Sequence, residues 1–341
     1  MSAKNKIFYA EAAKGYIVKV IIDTLCGGGI NRGIFVIQKS GIILRQSDQG
    51  STILYDVDLP CAHLRNYKCV KPMVISVNLK HMQGLLKTIK KKDCVTMHID
   101  SKQLGKLYIT IRPEGAREVT RFETKSIAYQ LEEEYELTAL PDGGYKFPMV
   151  ISASDFQKIK QLTTISKKIA ITIQRSNYLS FKCDAGIVMD AELGFGQFQD
   201  EDSNECKLCE NEKNDCWCEC EDCGEYLNDC WCECEECSQY KVECTCNDGD
   251  LTPFSAEYHS SILNKLVKLP GLCAQMQFYA PHIDRYPLRI EVNAGQGGYS
   301  LGKIQVYIKD VDQINYEASL QNENDNVVQI TKTKGKGKKK N

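Results

Sequence analysis

The sequence predicts an α+β fold of two similar domains, interrupted by a small metal-binding insert. Two observations give the domains. Segments of helical period alternate with segments of period two, and the order helix, hairpin, strand, helix, strands recurs in the second half. At 341 residues the chain can bury more than one core. A third observation gives the insert: twelve of the 18 cysteines crowd into residues 206–246.

The elements follow in order. Residues 14–26, KGYIVKVIIDTLC, form an amphipathic helix, and residues 32–47 a hairpin turning at Lys39-Ser40-Gly41. TILYDVDL (52–59) is a strand. NLKHMQGLLKTIKKK (78–92) is a second helix, with Leu79, Met82, Leu85, Leu86 and Ile89 on one face and Lys80, Lys87 and Lys91 opposite. CVTMHID and KLYITIRPE are strands. In the second half, residues 152–166 form a helix opened by a Ser/Asp start signal, with Phe156, Ile159 and Leu162 inward. Residues 168–184 form a hairpin and IVMDAELG (187–194) a strand. After the cysteines come a helix over 255–269 and strands over 274–281, 287–293 and 302–311. The expected boundaries are 1–122 and 147–198 with 251–316 for the two domains. The connector spans 123–146, the acidic cysteine-rich insert 199–250, and a disordered basic tail 317–341.

The cysteines keep a 14-residue period. They divide into three C-x2-C-x6-C-x-C units: Cys206, Cys209, Cys216 and Cys218; Cys220, Cys223, Cys230 and Cys232; Cys234, Cys237, Cys244 and Cys246. Four thiolates in two close pairs suit tetrahedral zinc, so three zinc ions per chain are expected. An iron–sulfur cluster and a disulfide ladder are the alternatives. Trp217 and Trp231 fall at one phase of the repeat. The N-terminus lacks a signal-peptide apolar region and no run is long enough to span a membrane. An intracellular, reducing site is therefore expected, where thiols bind metal.

The net charge of −2 conceals an asymmetry. Residues 200–250 hold 18 Asp/Glu and 3 Lys/Arg, which leaves 40 Lys/Arg against 27 Asp/Glu elsewhere. The body is basic and fits a polyanion partner, with solvated lysine faces as the plain alternative. The insert is acidic and fits a basic protein surface, not DNA. The five histidines are scattered, and no nucleophile elbow or phosphate loop is present, so an enzyme is not expected.

Four stretches carry a family resemblance: SGIILRQSDQGSTILYDVDL, NLKHMQGLLK, LPDGGYKFPMVISASDF and YPLRIEVNAGQGGYSLGKIQVYIKDV. Together they resemble the sliding clamps of the proliferating cell nuclear antigen family, over nearly the whole chain except insert and tail. The resemblance implies a closed homotrimeric ring of six similar domains. Helices line the channel, antiparallel sheets lie outside, and duplex DNA is encircled without sequence preference. It implies a DNA polymerase processivity factor, active in a nucleus or another replication site, put on DNA by a clamp loader.

By position, Lys19, Lys80, Lys87, Lys91, Lys158, Lys160, Lys265 and Lys268 face DNA. The family's pocket for partner peptides, which carry apolar and aromatic anchors, maps onto Ser47, Thr52, Leu140, Pro141, Tyr145, Pro287, Tyr307 and Ile308. Ser47 and Thr52 are more polar than the family pattern, which implies a pocket adapted to a modified peptide. The subunit edges map onto residues 117–125, with Phe122, and 187–194, with Val188. The family's ubiquitin-acceptor lysine is replaced by Arg175, so that regulation does not carry over. Two other readings stand beside this one: a subunit of a heterotrimeric checkpoint-type clamp, and a metal-binding or redox-sensing module on a degenerate clamp scaffold.

Overall fold

A β-α-β-β-β unit is repeated four times along the chain. The structure, a computed structural model, describes residues 5–113, 122–141, 143–145, 148–174, 178–184, 186, 189–196, 254–283, 285–296 and 298–320. Unit one is Lys6–Ala12 (β1), Gly15–Gly27 (α1), Arg32–Gln38 (β2), Gly41–Ser47 (β3) and Ile53–Pro60 (β4). A short strand, Asn66–Cys69 (β5), leads to unit two: Met73–Asn78 (β6), Leu79–Leu86 (α2), Asp93–Asp100 (β7), Lys106–Pro113 (β8) and Glu123–Leu131 (β9). Unit three is Met149–Ser152 (β10), Ala153–Ile165 (α3), Lys168–Gln174 (β11), Tyr178–Asp184 (β12) and Asp190–Gly196 (β13). Unit four is Phe254–His259 (β14), Ser260–Lys265 (α4), Gln275–Tyr279 (β15), Leu288–Gln296 (β16) and Tyr299–Ile308 (β17), followed by a helix over 311–320 (α5).

The units interlock in pairs. The leading strand of each crosses to its neighbour: β1 pairs with β7, β6 with β2, β10 with β15, and β14 with β11, all antiparallel. Neither unit of a pair can complete its sheets alone, so each pair is one domain. The halves are then welded by β17 pairing with β4 over Lys303↔Asp58 to Ile308↔Ile53. One 13-stranded sheet runs through both halves, and a four-stranded sheet, β13-β12-β11-β14, completes the second. The segment holding the twelve clustered cysteines leaves at Gly196 and returns at Phe254, between units three and four.

Helices α1 to α4 bury their apolar faces against the sheets. α1 packs on α2, and α3 on α4. Their inward faces are apolar: Ile17, Val18, Ile21 and Leu25; Leu79, Met82 and Leu86; Phe156, Ile159 and Leu162; Ile262 and Leu263. Asn78 caps α2 by accepting the His81 amide at 3.0 Å, and Ser152 caps α3 by accepting that of Asp155 at 3.1 Å. Gly41 has φ of 153°, and a Cβ there would lie 2.3 Å from the Leu59 carbonyl oxygen, so the β2–β3 hairpin needs glycine.

Four sequence expectations change. Residues 123–131 form β9, an integral strand of domain one, and not the start of a connector. Residues 254–259 form a strand, so the helix expected from 255 begins only at Ser260. The helix expected over 78–92 ends at Leu86, where Lys125 Nζ donates to the Leu85 carbonyl and Lys19 Nζ to that of Lys87, each at 3.2 Å. These side chains satisfy carbonyls that another helical turn would have used. Residues 317–320, expected in the tail, belong to α5.

Candidate functional site

Two surfaces result, one on the helices and one on the outer sheet. Lys80 and Lys160 on the helices, Lys87 at the end of α2, and Lys91 and Lys268 in the turns after α2 and α4 are exposed, and no described carboxylate lies within ion-pair distance of them. The helical period forces this: with Leu79, Met82 and Leu86 inward, positions 80 and 87 point out. Lys158 is exposed and pairs with Asp155 at 2.7 Å, one residue-turn away. Lys19 is half-buried on Lys87.

Lys265 is engaged differently from the expectation that it faces DNA freely. Its ammonium lies 2.7 Å from Oδ2 of Asp48, whose side chain is 2% exposed. Asp48 also accepts the amides of Thr52 and Ile53 at 2.7 and 3.0 Å, and the Thr52 hydroxyl at 3.0 Å. Burial alone would raise this carboxyl. The Lys265 ammonium and the amide and hydroxyl donors outweigh it and hold the carboxyl below its usual range. The pair ties the β3–β4 turn of domain one to α4 of domain two.

On the opposite face, strand pairing lines up Ser47, Leu54, Tyr307, Arg289 and Tyr279 in one cross-strand row. The connector closes over this row. Tyr135 donates to the Arg45 carbonyl and Arg45 to the Thr138 carbonyl, both at 2.9 Å. Tyr145 donates to the Pro287 carbonyl at 2.9 Å. Gly144 turns the chain with φ of 73°, and a Cβ there would meet Ile283 at 2.6 Å. The Tyr145 ring lies 5.6 Å from Tyr286 and 6.3 Å from Tyr307, centroid to centroid. Burial first, with Tyr307 adding to it, pushes the Tyr145 hydroxyl well above its ordinary range, so it stays a donor at neutral pH.

The expected pocket residues divide. Ser47, Leu140, Pro141, Tyr145, Pro287 and Tyr307 gather at this row and its connector. Ile308 does not: it is fully buried, because neighbours on a strand point to opposite faces. The Thr52 hydroxyl is turned into the Asp48 turn. Sequence reasoning missed Leu54, Tyr279, Tyr286 and Arg289; period-two alternation from Tyr307 and Pro287, carried across the sheet, is the signal that finds three of them. Phe122 is 56% exposed at the head of β9. Val188, Arg175, both tryptophans and the twelve clustered cysteines lie outside the described residues. The other six cysteines form no disulfide, and burial pushes the thiols of Cys26 and Cys273 up to about 11, which makes them poor nucleophiles. Among the described residues no helix is long and apolar enough to cross a membrane.

Comparison with known proteins bears on the fold. Residues 7–135 match the family "Proliferating cell nuclear antigen, N-terminal domain". A DNA polymerase sliding clamp of Pyrococcus furiosus is 32% identical over 88 residues, which is 26% of this chain and 34% of that protein. The sequence match thus spans about a third of the relative's length. The crystal structure of proliferating cellular nuclear antigen from Entamoeba histolytica aligns with a TM-score of 0.63 over 89% of this chain and 99% of that one, at 12% identity. The chain has the sliding-clamp fold. In that frame, domain one is the part the family match covers, and domain two repeats its interlocked pair of units.

Proposed function

We propose that this protein is a DNA sliding clamp, a homotrimeric processivity factor without enzymatic activity that encircles duplex DNA. One observation carries the reading beyond its likeness to known clamps. The last strand of unit one, β4, pairs with the last strand of unit four, β17. Among the described residues the corresponding strands of units two and three, β9 and β13, have no such partner. β9 is bound by β8 along Glu123–Ala128 and touches β6 only at its end; β13 is bound by β12 alone. By the fold's own repetition, β9 of one chain pairs with β13 of the next. Exposed Phe122 and Met189 stand at the heads of those two strands, where the expected Phe122–Val188 edge falls. Unpaired edges of this kind favour partners of their own kind.

In the ring, the helix layer lines the channel. Lys80, Lys87, Lys91, Lys160 and Lys268 attract phosphates without reading bases, with Lys19 and Lys158 contributing from partly engaged positions. Lys265 serves mainly to hold Asp48. The outer row under the connector receives peptides of DNA polymerase and other partners, and a clamp loader puts the ring on DNA. The cysteine-rich segment holds three zinc ions in the sets named above. Native mass spectrometry tests this: a trimer of 38.5 kDa chains with three zinc ions each is expected. A monomer at micromolar concentration with zinc present overturns the ring.

A further inference from the structure

Resting on the reading of the outer row as a peptide pocket, we propose that Arg289 selects partner peptides bearing a carboxylate beside their aromatic anchor. Its guanidinium carbon lies 4.4 Å from the Tyr145 ring centroid and 3.9 Å from that of Tyr279, so the cation lies over two aromatic rings. Stacking of this kind fixes the plane of the guanidinium and leaves its edge for hydrogen bonding, which is the geometry that recognises a carboxylate.

Within the chain the guanidinium reaches the Tyr307 hydroxyl, a neutral partner, while the nearby carboxylates and amides are committed elsewhere. Glu291, two residues along the same strand face, is held by Lys303 at 2.7 Å and by Gln305 at 3.0 Å. Asp56 is held by Arg45 at 2.7 Å. Gln277 and Gln305 accept the hydroxyls of Tyr279 and Tyr307 at 2.7 and 3.2 Å. Among the described residues no carboxylate pairs with Arg289, and its Nε–H is buried with no acceptor. The residue is half-buried and lies directly beside Tyr145, Tyr307 and the Pro287 carbonyl that Tyr145 engages. A cation so placed lacks its counter-charge in the free protein and gains it when an acidic peptide docks. The chain's own tail, with six lysines between Lys332 and Lys340, is repelled from the same place.

The test is calorimetric titration of the full chain with synthetic peptides. They carry apolar and aromatic anchors and differ only by Asp or Asn at each non-anchor position in turn. At one position or more next to the aromatic anchor, Asp binds wild type about tenfold more tightly than Asn, the scale of one charge-assisted hydrogen bond. In Arg289→Gln that ratio falls to near one. In Arg289→Lys, which keeps the charge and loses the planar fork, an intermediate ratio remains. A ratio near one at every position in wild type, or a preference surviving Arg289→Gln, overturns the selector while leaving the pocket in place. Peptides that fail to bind wild type at all overturn the pocket and the selector together.

Discussion

The helix layer and the outer sheet treat their cations in opposite ways. On the sheet, Arg45 pairs with Asp56, Lys303 with Glu291, Arg112 with Glu11, and Arg32 with Glu132. On the helices, most lysines have no carboxylate beside them. A surface whose charges are satisfied internally has little to offer a polyanion. One whose charges are unsatisfied holds them at a cost that phosphates remove. The contrast supports the proposal that the helix layer faces DNA. Arg289 is the exception that marks the second site.

The largest effect expected breaks the contrast outright. Reversing Lys80 and Lys87 to Glu places carboxylates in the helix layer. DNA affinity at low salt falls about a hundredfold or more, and the slope of log K against log salt flattens by roughly 0.9 for each phosphate lost. Trimerisation is unchanged. An unaltered slope, measured by anisotropy across a salt series, removes these lysines from the channel. Next comes the sheet side. Tyr145→Ala with Tyr307→Ala strips the aromatic row and weakens polymerase-derived peptides by about 2 kcal/mol or more, read by calorimetry. DNA retention is spared.

A smaller effect concerns Lys265, which departs from the helix-layer pattern by pairing with a buried carboxylate. Asp48→Asn leaves Lys265 without its counter-charge and lowers unfolding stability by about 1–3 kcal/mol in a urea titration. The Asp48 carboxyl is held below its usual range when folded. Its contribution is therefore complete above the ordinary aspartate value of about 4, and is lost as pH falls through the lower folded value. The acid limb of the stability profile should flatten in Asp48→Asn; an unchanged limb contradicts the pair. The smallest effect on the ring follows metal removal. A strong chelator releases three zinc ions per chain while sizing still reports a trimer. Collapse of the trimer would show that the cysteine segment supports the subunit joint.

Much of the fold was legible because its signals are local. Glycine at 41 and alternation on either side mark the first hairpin. Leucine and methionine spacing marks α2, and a serine cap marks α3. What escaped was systematic: the leading strands of the units. Three of them lie in short stretches just ahead of the helices expected from 14, 78 and 152, and the fourth merges into its helical window. His259 is followed at once by Ser260 of α4, and the helical spacing of Ile262, Leu263 and Leu266 draws Ala256 and Tyr258 into one apparent helix. Their true partners lie far off, as Ala256 opposite Ile171, where no window of sequence reaches. The pocket was half legible for the same reason. Tyr145 and Tyr307 stand in motifs, whereas Tyr279 and Arg289 join them only through pairing across strands.

The weld between β4 and β17 also decides where the proposed ring is weak. Six strand joints close such a ring, and three lie inside chains. Each of those three is a seam stitched on every side: by ladder bonds from Lys303 to Ile308, by the Asp48–Lys265 tie beneath, and by the connector strapped down through Arg45 and Tyr145. The remaining three, between β9 and β13, have a ladder and no covalent thread. The proposed ring, pulled open, is expected to part at a joint between chains before the seam inside a chain gives way.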